Sequence, residues 1–336
     1  MIMNTQPDLQ SRFTGRKVMI AGGVGFIGSN LAHRLVNLGA KVHLVDALIQ
    51  KHGANLFNIS AIENEVKLSK IDVRDEKQML DLIKNQDYLF NFAGQTSHLD
   101  SMKDPYTDLE MNCRTSLSIL EACRQYNPNI KIIYTGTRQI YGKPDYLPVD
   151  EKHPLHPIDI NGINKIAGEG YHVIYNRVYG IKTCILRLTN TYGPRMRVKD
   201  TRQTFLGWWI RQLIQNQEIQ VFGDGTQLRD FSYVDDAIEA LLLAAVHDDC
   251  NGEIFNVGGD EVINLQELAE LLILINGGGR FSIVPFPREQ KVIDIGSYYT
   301  NDHKIKMRLG WHPQVPLKEG LKQTLEYYKK YHEYYW

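Results

Sequence analysis

The chain of 336 residues is 43% hydrophobic and 23% charged, which is ordinary for a globular protein and long enough for one domain with an appended lobe. Its 38 basic and 39 acidic side chains give a net charge of -1, so no overall positive potential attracts nucleic acid or an anionic membrane, and we predict neither partner. No apolar run approaches the ~20 residues that cross a bilayer, and the polar residues 1–13 lack a signal core, so we expect a short disordered arm and a cytoplasmic location.

Continuous apolar runs alternate with amphipathic stretches through the first 188 residues. The amphipathic stretches predict helices: one ends at Gly39, a natural C-cap, and another of about six turns begins at Asp104-Pro105. The apolar runs are too continuous for strands with one solvated face, so they predict parallel strands buried on both sides. These strands are residues 17–21, 41–46, 66–72, 88–93, 131–136 and 182–188. The alternation predicts an α/β fold, a Rossmann-type doubly wound parallel sheet with right-handed crossovers.

The regular alternation ends after residue 188. Residues 190–203 are rich in turn formers and cations, and a helix, a short strand and a turn follow them. VDDAIEALLLAAV and EIFNVGG have the pattern of a helix and a strand that return to the sheet, and two amphipathic helices close the chain. We therefore predict a dinucleotide-binding domain of residues 1–187, rejoined by 231–262, and a smaller C-terminal substrate-binding lobe of residues 188–230 and 263–336.

The spacing of cysteine and histidine indicates no metal site. The four cysteines form no Cys-x-x-Cys pair, and the eleven histidines form no His-Glu-x-x-His motif. We predict free thiols, buried or half-buried, at Cys113, Cys123, Cys184 and Cys250.

The strongest chemical signal is a glycine turn between the first strand and the helix that follows it. Gly22, Gly25 and Gly28 come directly after the strand KVMIA. The first glycine permits a tight turn, the second lets backbone amides approach a pyrophosphate, and the third allows the helix to pack closely on the strand. We therefore predict that the pyrophosphate of a dinucleotide is bound by Gly22, Gly25, Phe26, Ile27 and Gly28.

An acidic residue at the end of the second strand selects the dinucleotide. Asp46 lies 18 residues after Gly28, where a carboxylate hydrogen-bonds a ribose 2'-hydroxyl and repels a 2'-phosphate. The three residues after Asp46 include no arginine that would hold such a phosphate. The predicted cofactor is therefore NAD, with Asp72 and Val73, at the end of the third strand, beside the adenine.

Ordered motifs over nearly the whole chain resemble those of the extended short-chain dehydrogenases/reductases of the NAD-dependent nucleotide-sugar epimerase/dehydratase type. The motifs are AGGVGFIG (21–28), FAG (92–94), TGTRQIYG (135–142), NKIAGE (164–169), RLTNTYGP (187–194), RDFSYVDD (229–236) and LGWHP (309–313). The resemblance implies an enzyme that holds NAD, oxidises a sugar hydroxyl to a ketone, uses the acidified neighbouring C–H bond to epimerise or eliminate, and returns the hydride. It also implies a homodimer formed through the helices of residues 105–126 and 161–179.

The resemblance also implies roles for single residues. Thr137 matches the hydroxyl that hydrogen-bonds the developing oxyanion, and Lys165 matches the lysine that holds the nicotinamide ribose. Ala93 matches a cofactor contact. The implied contacts to the substrate, of which the first two bind its diphosphate, are Asn190, Arg229, Gln95, Ser101, Arg138 and Gln139.

The residue that transfers the proton in this family is absent. The family has a tyrosine four positions before the lysine, and here that position is Asn161, whose amide neither donates nor accepts a full proton near neutral pH. Three outcomes stay open: another group supplies the base, water carries the proton, or the protein binds its ligands and turns over poorly. The possible replacement proton carriers are Tyr141, Tyr192, Asp100 and His98. The predicted catalytic residues are Thr137, Lys165, Asn161 and Tyr141.

Two further features bear on the reaction. Dehydratases of the family carry a glutamate that abstracts the sugar C5 proton where this chain has Gln139, which counts against 4,6-elimination and the related decarboxylation. AGQ (93–95) together with LGWW (206–209) also resembles the CDP-tyvelose 2-epimerase branch. The first hypothesis is epimerisation of a nucleoside-diphosphate sugar. The alternatives are an atypical dehydratase or dehydrogenase with a different base, and a catalytically weakened protein that binds NAD and the nucleotide sugar.

Overall fold

The strands of the protein are taken from a computed structural model, which describes residues 7–201 and 204–336. They are β1 (Lys17–Ala21), β2 (Lys41–Asp46), β3 (Val66–Lys70), β4 (Tyr88–Asn91), β5 (Lys131–Thr137), β6 (Lys182–Leu188), β7 (Asn190–Tyr192), β8 (Ile219–Phe222), β9 (Leu228–Tyr233), β10 (Ile254–Val257), β11 (Val262–Asn264) and β12 (Phe281–Val284). The central sheet has the order β10-β6-β5-β4-β1-β2-β3, and each of its pairs is parallel. The predicted doubly wound parallel sheet is therefore confirmed, including the return of EIFNVGG to it as β10.

The helices lie between these strands and after them. They are α1 (Leu9–Phe13), α2 (Phe26–Asn37), α3 (Glu76–Ile83), α4 (His98–Lys103), α5 (Pro105–Leu109), α6 (Thr115–Tyr126), α7 (Ile160–Tyr179), α8 (Phe205–Ile214), α9 (Val234–Val246), α10 (Leu265–Asn276), α11 (Arg288–Lys291), α12 (His303–Leu309) and α13 (Leu317–Tyr331). Helix α2 ends close to the predicted glycine: its C-cap is Leu38, and Gly39 follows with φ 74°.

Both faces of the central sheet are covered by apolar side chains. Met19 of β1 packs on one face with residues of α3 and α6, and its neighbour Ile20 packs on the other face with residues of α2 and α9. Both side chains are fully buried. Burying a side chain of this size contributes about 1.5–3 kcal/mol, so the continuous apolar runs are what fix the sheet between two helical layers.

The long helix predicted from Asp104 is interrupted. Asp104 does cap its start, since its carboxylate accepts a hydrogen bond from the Thr107 amide at 3.1 Å. Between α5 and α6, however, residues 110–114 form a π-helical turn. The extra residue in this turn directs Asn112 and Cys113 inward, and the Asn112 amide donates to the carboxylate of Asp108 at 3.0 Å.

The prediction of a disordered arm is wrong for residues 7–13, which are the part of it that the structure describes. Residues 1–6 lie outside the described residues, and α1 follows them, capped by Asp8. Leu9 and Phe13 lie on one face of this helix, and the Phe13 ring is fully buried at 5.1 Å from the Tyr88 ring. An apolar pair at i, i+4 is enough to anchor one helical turn against the sheet.

The second half of the chain adds smaller sheets beside the carboxyl end of the central one. One has the order β11-β9-β7, and β12 pairs with β8 in another. Residues 202 and 203, at the end of the predicted turn-rich segment, lie outside the described residues. The boundaries of the substrate lobe stay a prediction. Within residues 7–201 and 204–336, no helix combines the length and apolarity needed to span a bilayer.

The four cysteines are free and buried, as predicted. Within the described part of the chain, no cluster of three or more His, Cys, Asp or Glu side chains has an arrangement that could hold a metal ion.

Candidate active site

The glycine turn leaves room for an anion at the start of α2. Gly22 has φ 78°, and a Cβ atom there would lie 2.9 Å from the carbonyl carbon of Phe92. A Cβ on Gly28 would lie only 2.2 Å from the carbonyl oxygen of Gly22, so this glycine is required for the helix to approach the strand. The N-cap of α2 is Gly25, which offers no side-chain cap, so the first amides of the helix point to the cavity without an internal acceptor.

A small cavity of about 90 Å³ lies beside this turn at the ends of β2 and β3. Its lining includes Asp46, Asp72, Val73 and Ala93, which brings together four of the predicted cofactor contacts. Asp46 accepts hydrogen bonds from the amides of Val24 at 3.1 Å and Leu48 at 2.8 Å. These bonds fix the carboxylate at the cavity, and burial raises the pKa of Asp46 from its usual value.

Asp72 is held differently from Asp46. The Arg74 guanidinium binds its carboxylate, with Nη2 to Oδ2 at 2.6 Å and Nε to Oδ1 at 2.9 Å. The hydrogen bond from Arg74 lowers the pKa of Asp72. The side chain therefore stays ionised and fixed at the wall of the cavity.

A second cavity of about 670 Å³ runs from the glycine turn to the strands of the C-terminal half. The predicted residues that line it are Gly22, Gly25, Phe26, Ile27, Gly28, Thr137, Arg138, Gln139, Asn161, Lys165, Asn190 and Arg229. Parallel strands bring their carboxyl ends to one edge of the sheet, so residues far apart in the chain converge here. A cavity of this volume is in the range that holds a ligand of cofactor size.

Thr137 and Lys165 come from β5 and α7. Thr137 ends β5, and its Oγ1 accepts the amide of Gln139 at 3.3 Å. Lys165 is 8% exposed, with Nζ 5.3 Å from the centre of the Tyr134 ring. Burial lowers the pKa of Lys165, while the nearby carboxylates of Asp108 and Glu169 raise it.

Asn161 is anchored within the protein. Its Nδ2 donates to the backbone oxygen of Gln95 at 2.9 Å and to Oδ2 of Asp108 at 3.0 Å. Its backbone amide donates to Oγ of Ser101 at 3.2 Å. Gln95 and Ser101 were predicted to contact substrate, but neither lines the large cavity, and both hold Asn161 instead.

Two buried arginines meet at the far wall of the large cavity. Nη2 of Arg138 donates to Oδ1 of Asn190 at 2.9 Å, and Nη1 of Arg138 is buried without an acceptor among the described residues. Arg229 is 5% exposed and donates to Gln227 Oε1 at 3.1 Å. Burial and then the charge of Arg138 lower the pKa of Arg229 to about 9. Oδ1 of Asp294 lies 3.7 Å from Nη2 of Arg229 and partly balances this pair, whereas Nη1 of Arg138 and Nε of Arg229 are buried without an acceptor among the described residues.

The structure does not bring Tyr141 into the cavity. The side chain is fully buried, its hydroxyl donates to Asn256 Oδ1 at 2.7 Å, and it accepts from Arg187 Nη1 at 2.7 Å. Tyr192 is also buried and donates to the backbone oxygen of Leu317 at 3.3 Å. Both phenols are buried and hydrogen-bonded within the protein and neither lines the large cavity, so neither is placed to exchange a proton with a ligand there.

The two other possible proton carriers, His98 and Asp100, do line the cavity. Two carboxylates that lie behind the cavity wall were not predicted from the sequence. Asp108 is fully buried and accepts from the side-chain amides of Asn112, Asn161 and Asn164. Asp159 caps α7 and lies beside His98. In the sequence, Asp159 has only the pattern of a helix cap. Its contact with His98 is visible in the structure alone.

The chain is similar over most of its length to proteins of known family. The sequence profile described as "NAD dependent epimerase/dehydratase family" matches residues 18–258. A putative UDP-glucose 4-epimerase of Methanocaldococcus jannaschii is 33% identical, over 93% of this chain and 98% of the relative. A CDP-paratose 2-epimerase of Salmonella typhi is 28% identical, over 93% and 98%. The crystal structure of UDP-glucose 4-epimerase with UDP-glucose from Thermotoga maritima superposes with a TM-score of 0.85 at 31% identity, over 94% of this chain and 99% of that one.

Proposed function

The chain belongs to the NAD dependent epimerase/dehydratase family, and from this premise we propose that it epimerises a nucleoside-diphosphate sugar by transient oxidation of one ring hydroxyl to a ketone. The observation that carries the proposal is a large cavity lined together by the glycine turn, by Thr137 and Lys165, and by the Arg138–Asn190–Arg229 wall. A cofactor site, a proton-transfer site and an anion site thus lie along one continuous space.

The residues at the glycine turn fit NAD. The uncapped start of α2 supplies amides for the pyrophosphate, and the absence of a Cβ at Gly25 leaves that approach open. Asp46 at the small cavity accepts from a ribose hydroxyl, and Asp72, Val73 and Ala93 flank the adenine side. When bound, NAD accepts a hydride from the sugar and returns it.

Arg138, Asn190 and Arg229 would bind the diphosphate of the substrate. A diphosphate here would supply the acceptors that Nη1 of Arg138 and Nε of Arg229 lack among the described residues, in addition to the Asp294 carboxylate 3.7 Å from Arg229. Bidentate guanidinium contacts to phosphate oxygens are strong and directional.

Thr137 and Lys165 would act on opposite ends of the reacting group. The Thr137 hydroxyl donates to the oxygen that becomes the ketone. The Lys165 ammonium, held in a dry wall, orients the nicotinamide ribose and favours negative charge on a neighbouring oxygen. Gln139 donates its Nε2 hydrogen to Asp159 Oδ2 at 2.9 Å and has no group that can abstract a carbon-bound proton, so epimerisation is favoured over elimination.

A homodimer is proposed through the outer faces of α5, α6 and α7. Apolar side chains are exposed there: Tyr106 by 79%, Leu109 by 46%, Ile163 by 51%, Val178 by 63% and Tyr179 by 50%. Patches of this kind on a globular surface mark interfaces. Sedimentation at micromolar concentration should give twice the monomer mass of 38.6 kDa, and Val178→Asp with Ile163→Asp should give the monomer.

The function is tested by incubating the purified protein with UDP-, CDP-, GDP- and dTDP-linked sugars and identifying products by mass and NMR. We expect one class of substrate to give an isomer of unchanged mass. Loss of water would favour the dehydratase alternative, and tight binding of a sugar nucleotide without any conversion would refute the proposed catalysis.

A further inference from the structure

An imidazole and a carboxylate form a pair in the wall of the large cavity. His98 is the first residue of α4, and Asp159 is the N-cap of α7. Nδ1 of His98 lies 3.0 Å from Oδ2 of Asp159. The His98 side chain is 33% exposed, whereas the Asp159 side chain is fully buried behind it. The imidazole therefore has one face toward the cavity and its carboxylate partner on the protein side.

Asp159 is fixed by contacts that leave it ionised. Its Oδ1 accepts the amide of Gly162 at 2.7 Å, and its Oδ2 accepts Nε2 of Gln139 at 2.9 Å. Burial by itself raises its pKa, but the nearby His98 imidazole and those amides bring the net pKa of Asp159 below its usual value. Nδ1 of His98 is buried at 3.0 Å from Oδ2 of this carboxylate, but in its present ring orientation it makes no hydrogen bond with any acceptor among the described residues. A carboxylate can only accept, so a small turn of the ring would let Nδ1 donate to Asp159 and would leave Nε2 as the acceptor.

Short hydrogen-bond paths connect this pair to the centre of the site. Oγ of Ser101 donates to the backbone oxygen of His98 at 2.7 Å and accepts the backbone amide of Asn161 at 3.2 Å. On the other side, Gln139 joins Asp159 to Oγ1 of Thr137 through its own backbone amide at 3.3 Å. His98 is thus linked to the backbone of Asn161, the position of the missing phenol, through one residue, Ser101. It is linked to the hydroxyl of Thr137 through two residues, Asp159 and Gln139.

Other groups near Asn161 do not offer the same chemistry. The amide of Asn161 takes no proton, and the Asp108 behind it is fully buried with its oxygens occupied by three side-chain amides. Asp100, on the same helix as His98, and the cations Lys103 and Lys165 also face the cavity. The His98 imidazole has a neutral form that can accept a proton, and a buried carboxylate lies against one of its ring nitrogens.

We propose that His98, oriented by Asp159, accepts the proton of the sugar hydroxyl in place of the absent tyrosine. This inference rests on the proposed function. The O–H bond breaks, its proton forms an N–H bond at Nε2, and its electron pair becomes the second C–O bond of the ketone as the hydride leaves the carbon for NAD. On re-reduction the imidazolium returns the proton to the alkoxide, so the side chain ends each cycle neutral.

The kinetic test compares variants with the sugar nucleotide that the wild type converts. His98→Ala should lower kcat by 10²–10⁴-fold with little change in KM, and added imidazole should restore part of the rate. Asp159→Asn keeps the helix cap, because asparagine caps as well as aspartate, and should still lower kcat at least tenfold. The matched control is His156→Asn, a surface histidine 4.0 Å from Asp145, which should keep the wild-type rate.

A second readout does not depend on turnover. In ¹⁵N-histidine NMR of the protein, His98 should show Nδ1 protonated and Nε2 unprotonated, and Asp159→Asn should change this tautomer population. Calorimetric binding of UDP to His98→Ala should match the wild type.

The outcomes distinguish failure of the proposed function from failure of the proposed role of His98. A wild type that converts no nucleotide sugar refutes the proposed function and this mechanism with it. A wild type that converts one, with His98→Ala within threefold of its rate or with Nε2 of His98 protonated, overturns the role of His98 alone. Loss of turnover in Asp100→Asn but not in His98→Ala would do the same and would identify Asp100 as the acceptor.

Discussion

Alanine substitutions at Gly25 and Gly28 should separate cofactor binding from folding. At Gly28 a Cβ would lie 2.2 Å from Gly22 O and 2.9 Å from Gly23 Cα, and both atoms are backbone. An ordinary contact of this kind is about 1 Å longer, so α2 would have to move away from β1, at a cost near the upper end of the ~1–3 kcal/mol seen for overpacking. At Gly25 the new Cβ would lie 3.4 Å from Gly22 O with φ at -73°, which any residue adopts.

The two variants therefore have different expected signatures. Gly28→Ala should lose about 3 kcal/mol of unfolding free energy in urea and most of its NAD. Gly25→Ala should unfold within about 0.5 kcal/mol of the wild type, because its backbone is unstrained, yet bind NAD at least tenfold more weakly, since the methyl group occupies the approach of the pyrophosphate. Urea titration and calorimetry with NAD measure both quantities. Wild-type stability of Gly28→Ala, or undiminished NAD affinity of Gly25→Ala, would refute the reasoning.

Three further predictions follow from single contacts. Lys165→Met should cut turnover about a hundredfold with the fold intact by circular dichroism, and an unchanged rate would remove the lysine from the site. Arg229→Met should weaken calorimetric binding of UDP at least tenfold while NAD affinity stays constant; equal UDP binding would contradict the anion wall. Burial lowers the pKa of His172 to about 4, so only the unfolded chain gains its proton as pH falls from about 6.5 to 4. Stability should therefore drop by about 2 kcal/mol between pH 7 and pH 5 on account of this residue, and His172→Gln should show a shallower pH slope in urea titrations; an identical slope would exclude the assignment.

The sequence predicted the features that depend on local spacing. The strands, the glycine turn and Asp46 follow from periodicity and from the distance between a turn and a strand end, so they were found without contacts. The π-helical turn at residues 110–114 was missed because one added residue leaves the apolar pattern on either side intact. Likewise α1 was missed because a single turn of helix has too little pattern to predict.

The roles of several side chains could not be predicted from the sequence because they depend on contacts between segments that are distant in the chain. Tyr141 comes shortly after β5, which ends at Thr137, and was therefore a reasonable candidate from the sequence, yet its hydroxyl is taken by Asn256 and Arg187, which come from other strands. Asp159 has the sequence pattern of a helix cap, and its approach to His98 depends on the packing of α4 against α7. The burial of Arg138 next to Arg229 also joins residues 91 positions apart.

Because Gln139 cannot abstract a carbon-bound proton, the proposed epimerisation inverts the oxidised carbon itself and not a neighbouring acidified C–H centre. The central claim is that this ring carbon loses a hydride, becomes a ketone, and receives the same hydride back on its other face. The most direct measurement is to run the conversion of the active sugar nucleotide in D₂O and to analyse the product by NMR and mass spectrometry. The account predicts an epimer of unchanged mass with no deuterium bound to carbon. A product that carries carbon-bound deuterium, or one that has lost water, would contradict it.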